Sequence, residues 1–210
     1  MHIDITPKEN QHKVSIILVD EEEWRQIHHT IFSSKAAAAL PKDCTSLSQL
    51  EDAFLNLEYR QAKHYVLKKL AAQSLPSDVL RKMLTKLLVS PVTIQNILND
   101  CQKVGYLNDQ DWLQAFIRQC QSRKMGPQAI LMKLKSKGIS DQLINGFEHQ
   151  LRDPLSQQTN ISNLLKTRYR KCDLKDFKQK QKVIAALLRK GFELSEIREA
   201  ISIPNQFISD

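Results

Sequence analysis

The chain has 210 residues, 41% hydrophobic and 26% charged, a balance that excludes wholesale disorder and suits one long domain or a row of small modules. Five glycines and seven prolines leave little room for a turn-rich β-sandwich or barrel. The formal net charge of +8 is segregated: residues 1–59 carry five Lys/Arg against ten Asp/Glu, a net of −5, and residues 60–210 a net of +13, so the larger part favours polyanions or proteins coated with them.

The first ten residues lack the basic and apolar regions of a secretory leader. Val14–Val19 is β-branched and aliphatic and reads as a strand ended by Asp20 to Glu23. Its partner is Ile3–Thr6 or the Ile27–Phe32 stretch. The same run is the longest uncharged apolar one, far short of the ~20 residues a membrane span needs. Ala36 to Leu40, stopped by Pro41, reads as a short helix, and Lys42 to Ser48 as a linker.

From Leu50 the helical period takes over. One long segment sets Phe54, Leu55, Ala62, Tyr65, Val66 and Leu70 along a broad side. A second, entered through Pro76, carries Val79, Leu80, Met83, Leu84, Leu87 and Leu88. A third, behind the Ser90-Pro91 cap, carries Ile94, Ile97, Leu98, Cys101 and Val104. It stops at Lys103-Val104-Gly105-Tyr106-Leu107. The stop recurs at Lys135-Ser136-Lys137-Gly138-Ile139 and at Leu188-Arg189-Lys190-Gly191-Phe192. Cations in the last turn suit the helix dipole, and glycine just beyond supplies a left-handed end. The apolar residue that follows tucks the chain back, and Asn108, Ser140 and Ser195 are the next cap candidates. Further helices are expected near 109–123, 127–137, 141–151, 157–172, 174–190 and 195–202. The expectation is an all-α chain of about nine helices, grouped as tandem three-helix repeats, with a small strand-containing N-terminal extension. Its parts are 1–50 for the acidic extension and 51–107, 108–153 and 154–210 for the three repeats.

Catalytic signatures are absent from this sequence: no Gly-rich phosphate loop, no HExxH and no GxSxG. Glu21-Glu22-Glu23 reads as a solvated turn, and the adjacent His28 and His29 point different ways on any regular element. Cys44, Cys101, Cys120 and Cys172 are widely separated and read as buried free thiols in a reducing cytoplasm. Tyr65, Tyr106, Trp112 and Tyr169 read as core. The expectation is therefore a cytoplasmic protein that is not an enzyme and uses no metal or cofactor.

Positive charge is the more informative signal. Trp112 to Ser140 contains no acidic residue but holds Arg118, Arg123, Lys124, Lys133, Lys135 and Lys137. On a helix over 174–190, Lys175, Lys178, Lys182 and Arg189 fall within about 60° of one another, with Phe177, Ile184, Leu187 and Leu188 on the far side. A helix that is merely soluble mixes Glu with Lys; this one does not. The aromatic content of 6% is low for a base-stacking binder, so contact with phosphates or an acidic protein groove fits better.

Gly105-Tyr106-Leu107-Asn108-Asp109, then Ala115-Phe116, Arg118, Arg123, Gly126-Pro127, Ile130, Leu134 and Lys137-Gly138-Ile139, form an ordered pattern that continues in Leu187 to Phe192 and Ile197. In this order and spacing the chain resembles RecX, the bacterial regulator of the RecA recombinase, over roughly residues 58–202. It departs from the family's usual pattern at Leu75-Pro76-Ser77-Asp78 and at Asn108. The resemblance implies tandem three-helix repeats. It further implies a monomer that docks on the RecA filament on single-stranded DNA, with weak direct contact to DNA, and that restrains filament growth, ATP hydrolysis and strand exchange in homologous recombination and the SOS response. The residues expected to dock against acidic RecA surface or phosphate are Arg118, Arg123, Lys124, Lys133, Lys137, Lys175, Lys178, Lys182 and Arg189. The alternative is a DNA-binding regulator with a helix-turn-helix-like module, though a lysine stripe suits backbone contact more than base reading.

Overall fold

The computed structural model describes residues 1–202; the expected third repeat, 154–210, runs past them. Among the described residues the chain is helical apart from one small N-terminal sheet. Strands β1 (Ile3–Pro7), β2 (Val14–Val19) and β3 (Glu22–His28) are followed by the single turn of helix α1 (Ser34–Ala37). Nine longer helices complete it: α2 (Leu47–Ala72), α3 (Ser77–Lys86), α4 (Pro91–Lys103), α5 (Asp109–Ser122), α6 (Pro127–Ser136), α7 (Asp141–Leu151), α8 (Pro154–Thr167), α9 (Phe177–Arg189) and α10 (Leu194–Ser202). The chain falls into two compact units, Met1–Trp112 and from Leu113 onward, with the boundary inside α5.

In the first unit β2 is the central strand: it pairs antiparallel with β1, the first candidate, and with β3, which overlaps the second candidate only at Ile27 and His28. The acidic run ends β2 at Val19, as expected, but Glu22 and Glu23 open β3 rather than lying in a turn. Val19 pairs with Glu22, which leaves only Asp20 and Glu21 as the loop, at φ 48° and 74°. Two consecutive left-handed residues make a tight hairpin whose twist matches the strands. No glycine marks the turn, so its sequence reads as a charged stop.

The expected linker is also partly structured. Ile3 N–H donates to the Lys42 carbonyl at 2.9 Å, His2 bridges to Asp43, and Cys44 is buried, so this stretch lines the outer edge of β1. Ser46 then caps α2, accepting from the Gln49 amide. The sheet contributes Ile17 and Ile27 to the same core as Phe54, Ala62 and Val66 of α2, Leu80 and Leu84 of α3, and Ile97 and Leu98 of α4. Phe54 is its hub, stacked on Phe32 at 5.3 Å and met edge-on by Trp24 at 5.4 Å.

One charged residue lies in that core. Glu58, 1% exposed, accepts from both the backbone N–H and the hydroxyl of Ser90, which itself caps α4. A carboxylate at a helix N-terminus meets unpaired amides and the positive end of the dipole, which offsets its burial. Asp109 at the head of α5 repeats the device, accepting from the Ser77 amide at 2.7 Å and from the Ser77 hydroxyl at the start of α3.

In the second unit α8, α9 and α10 enclose a core of Ile161, Leu164, Val183, Leu187, Phe192 and Ile197. Gln157, 2% exposed, donates to the Arg152 carbonyl and accepts from the Glu193 amide. Arg152 in turn pairs with Glu148 at 2.8 Å and with Glu193, and these carboxylates, Glu148 first, raise its pKa further. Glu193 rather than Ser195 therefore precedes α10.

The three glycine stops behave as expected: Gly105, Gly138 and Gly191 have φ of 82°, 81° and 87°. Behind the last two, Ile139 and Phe192 are buried; behind the first it is Leu107 that turns in, while Val104 and Tyr106 stay exposed, against the expectation that both belong to the core. Two further helices reach the same left-handed stop without glycine: Leu88 after α3 and Lys124 after α5 take φ of 60° and 56°.

Candidate polyanion and protein interface

All nine predicted docking cations lie beyond Leu113, in the second unit. Arg118, on the middle of α5, is exposed. Arg123 and Lys124 form the turn that ends α5, where the left-handed Lys124 reverses the chain into Met125-Gly126-Pro127. Lys133 lies on α6 and Lys137 caps its C-terminus.

A buried thiol shows which of these come together. Burial pushes the Cys120 thiol up from its ordinary range, and Lys133, Arg123 and Lys137, in that order, pull it back down. Those three cations therefore share a neighbourhood over Cys120. Their side chains are braced: Lys133 Nζ lies 3.7 Å from Met125 Sδ, and Lys137 Nζ sits 5.5 Å above the Phe116 ring. Arg118 stands apart, since two residues of helix turn it roughly 160° away from Cys120. The middle group is thus a cluster of Arg123, Lys133 and Lys137, to which Lys124 adds its backbone turn.

The last group forms a row. Helix α9 begins later than expected, at Phe177, capped by the Asp176 carboxylate accepting from the Lys178 amide. Lys175 consequently sits in the turn before the helix, its amide held by Asp173 at 2.9 Å, and is not part of the helical stripe. Lys178, Lys182 and Arg189 are exposed on one face of α9, with Asp and Glu absent from the helix. Among the described residues, no ion pair reaches these three cations.

The apolar side of α9 differs from the expectation. Val183 and Leu187 are its buried residues, with Ile184 packed half-buried beside them. Phe177 is 72% exposed and Leu188 43% exposed, where the helical wheel predicts both on the far, core-facing side. The apolar arc from Leu188 round to Val183 spans about 140° on that wheel, more than one three-helix packing covers. That excess width is the signal available in the sequence.

The two groups are joined through the backbone. Gly126 N–H donates to the Lys190 carbonyl at 2.8 Å, and Gln128 N–H donates to the Gly191 carbonyl at 3.0 Å. The stop of α9 therefore abuts the start of α6. Among the described residues no group of three His, Cys, Asp or Glu is placed to hold a metal ion, and no helix is long and apolar enough to cross a membrane.

Comparison with known proteins identifies the two halves of this unit. Residues 108–146 match the second three-helix domain of RecX, and residues 156–201 match its third three-helix domain. The regulatory protein RecX of Mycolicibacterium smegmatis is 24% identical over 172 residues, 78% of this chain and 88% of that protein. The regulatory protein RecX of Bacillus subtilis is 30% identical over 125 residues, 56% of this chain but 45% of that longer protein. That of Legionella pneumophila is 38% identical over 60 residues, 29% of this chain and 40% of its own length. The crystal structure of RecX from Lactobacillus salivarius superposes with a TM-score of 0.58 at 22% identity, covering 68% of this chain and 94% of that one. A second crystal structure of a regulatory protein RecX gives the same TM-score of 0.58 at 19% identity and covers 95% of this chain and 98% of its own. At such identities the superpositions speak for the fold.

Proposed function

The chain belongs to the RecX family of regulatory proteins, and from that premise we propose that it docks on the RecA filament on single-stranded DNA and restrains ATP hydrolysis and strand exchange. The observation that carries the proposal is positional. All nine docking cations, from Arg118 to Arg189, lie inside the two stretches that match RecX three-helix domains. The Arg123, Lys133 and Lys137 cluster and the Lys178, Lys182 and Arg189 row are what a module needs to hold a polyanionic filament. Among the described residues these cations form no ion pair that binding would break, and each phosphate neutralised releases counterions. On this reading the protein modulates the recombinase by occupancy and does no chemistry of its own.

The test is RecA ATP hydrolysis on single-stranded DNA with this protein titrated far below the RecA concentration. Inhibition at such ratios is expected, because one docked molecule that blocks growth affects a whole filament. No effect at equal concentration and low salt would overturn the proposal, and sequence-selective duplex binding without RecA would put a DNA-binding regulator in its place.

A further inference from the structure

Helix α9 presents three faces. Val183 and Leu187 face the core of the third three-helix group, and Lys178, Lys182 and Arg189 form the cationic row. Between them runs a strip in which Phe177 and Leu188, both exposed, flank the half-buried Ile184 at steps of seven and four residues. These steps return to one side of a helix over about 16 Å, with Lys180 and Gln181 at the turn between Phe177 and Ile184.

We infer that this strip with its cationic border is a docking face for an acidic amphipathic helix of a partner protein. The inference deepens the docking reading above and rests on it: it assigns α9 to the protein of the filament and leaves the Arg123, Lys133 and Lys137 cluster for phosphate.

Three features of the strip choose the occupant. A phosphate backbone is satisfied by cations alone and gains nothing from Ile184 and Leu188. Two of the strip's three side chains, Ile184 and Leu188, are aliphatic and offer no stacking platform, whereas successive stacked bases are what single-strand binders exploit. Apolar anchors at helical spacing, with an aromatic at one end, are how one helix reads another. The border then sets the partner's charge. With Asp and Glu absent from α9 and no ion pair at Lys178, Lys182 or Arg189 among the described residues, the complement is a helix whose apolar side is edged by Asp and Glu. A second copy of α9 would set lysine against lysine and is disfavoured by the same argument.

The experiment compares the full chain with the double variants Phe177→Ser/Leu188→Ser and Lys178→Glu/Lys182→Glu, each binding to RecA filaments on an oligonucleotide and to the bare oligonucleotide. All four positions are exposed, and unchanged thermal unfolding by circular dichroism verifies that each variant folds. The apolar double variant is expected to lose about tenfold or more in filament affinity while bare-oligonucleotide affinity stays within about twofold. The charge double variant is expected to lose filament affinity with a shallower dependence on salt, because fewer charge contacts remain for salt to screen. Filament binding by the apolar variant equal to that of the wild type would overturn the inference and leave the docking reading standing. Equal losses on filament and bare oligonucleotide would overturn it in favour of nucleic acid. Sedimentation of the wild type as a dimer that the apolar variant dissolves would overturn it in favour of a second copy. Failure of the wild type itself to bind filaments would instead remove the docking reading.

Discussion

Gly126 and Gly191 lie backbone against backbone. A Cβ added at Gly126 would fall 2.4 Å from the carbonyl carbon of Gly191, and one added at Gly191 would fall 2.3 Å from the Ala129 nitrogen. Neither gap admits a methyl group without moving main chain. Gly191→Ala, which also carries a left-handed penalty, is expected to cost about 3 kcal/mol or more. Gly105→Ala, whose Cβ would meet nothing within 4 Å, should cost only the left-handed penalty of about 1–2 kcal/mol. Urea unfolding midpoints of the two variants measure the difference, and equal losses would show that the close approach contributes nothing.

Leu88 gives the opposite sign. It ends α3 at φ 60° with its side chain 40% exposed, so it bears left-handed strain for little burial. Leu88→Gly should remove a strain of about 1–2 kcal/mol and lose roughly 0.5–1 kcal/mol to chain entropy, a small net gain. A small rise in Tm is the outcome to look for; a fall means that the packing of the Leu88 side chain outweighs the strain.

Asp100 on α4 accepts from the Tyr59 hydroxyl and from Lys63 Nζ at 3.0 Å, both on α2. The Tyr59 bond first, then the Lys63 bond, lower the Asp100 pKa below its ordinary value, while Tyr59 first and then Asp100 raise that of Lys63. A depressed carboxylate contributes stability that is present above its unfolded pKa and lost as pH falls through the folded one. The raised Lys63 contributes stability that is present below its unfolded pKa and lost as pH rises through the folded one. Tyr59→Phe should therefore move Asp100 upward in a carboxylate NMR titration. Asp100→Asn should lose less stability than the wild type when acidified below the usual aspartate range. An unmoved titration in Tyr59→Phe would mean that the hydroxyl bond is absent in solution.

The cluster over Cys120 should act as a unit. Lys133→Gln and Lys137→Gln together are expected to lower the slope of log affinity for single-stranded DNA against log salt by roughly 0.7 for each phosphate left unneutralised. Arg118→Gln, which stands apart on α5, should leave the effect of the pair unaltered when combined with it. Strong coupling of Arg118 to the pair would place all three on one surface.

The long helices are legible because leucine and isoleucine spacing over ten or more residues has one interpretation, and three of the stops because a left-handed glycine after a cation is a strong signal. Leu88 and Lys124 stop helices in the same conformation without that mark, and Asp20-Glu21 turns a hairpin with carboxylates where glycine or asparagine is usual. In each case tertiary packing enforces what local preference disfavours, and no local reading recovers it. The cations are legible as a set but not as a grouping. Only the fold brings Lys133 and Lys137 to Arg123 over Cys120, and only the capped start at Asp176 removes Lys175 from the row. Phe177 and Leu188 escape a sequence reading that turns every apolar residue inward, because a three-helix packing covers only part of so wide an arc.

Glu58 bears on how the first unit finds its alignment. A leucine-rich α2 of 26 residues could slide against α3 and α4 by a turn with modest cost, because one aliphatic neighbour substitutes for another. Glu58 forbids that freedom. A shift of one residue swings it by about 100°, parting the carboxylate from Ser90 and stranding a charge among aliphatic neighbours. The residue thus works as a locating pin: its merit lies in how poorly every rival alignment of α2 would tolerate it.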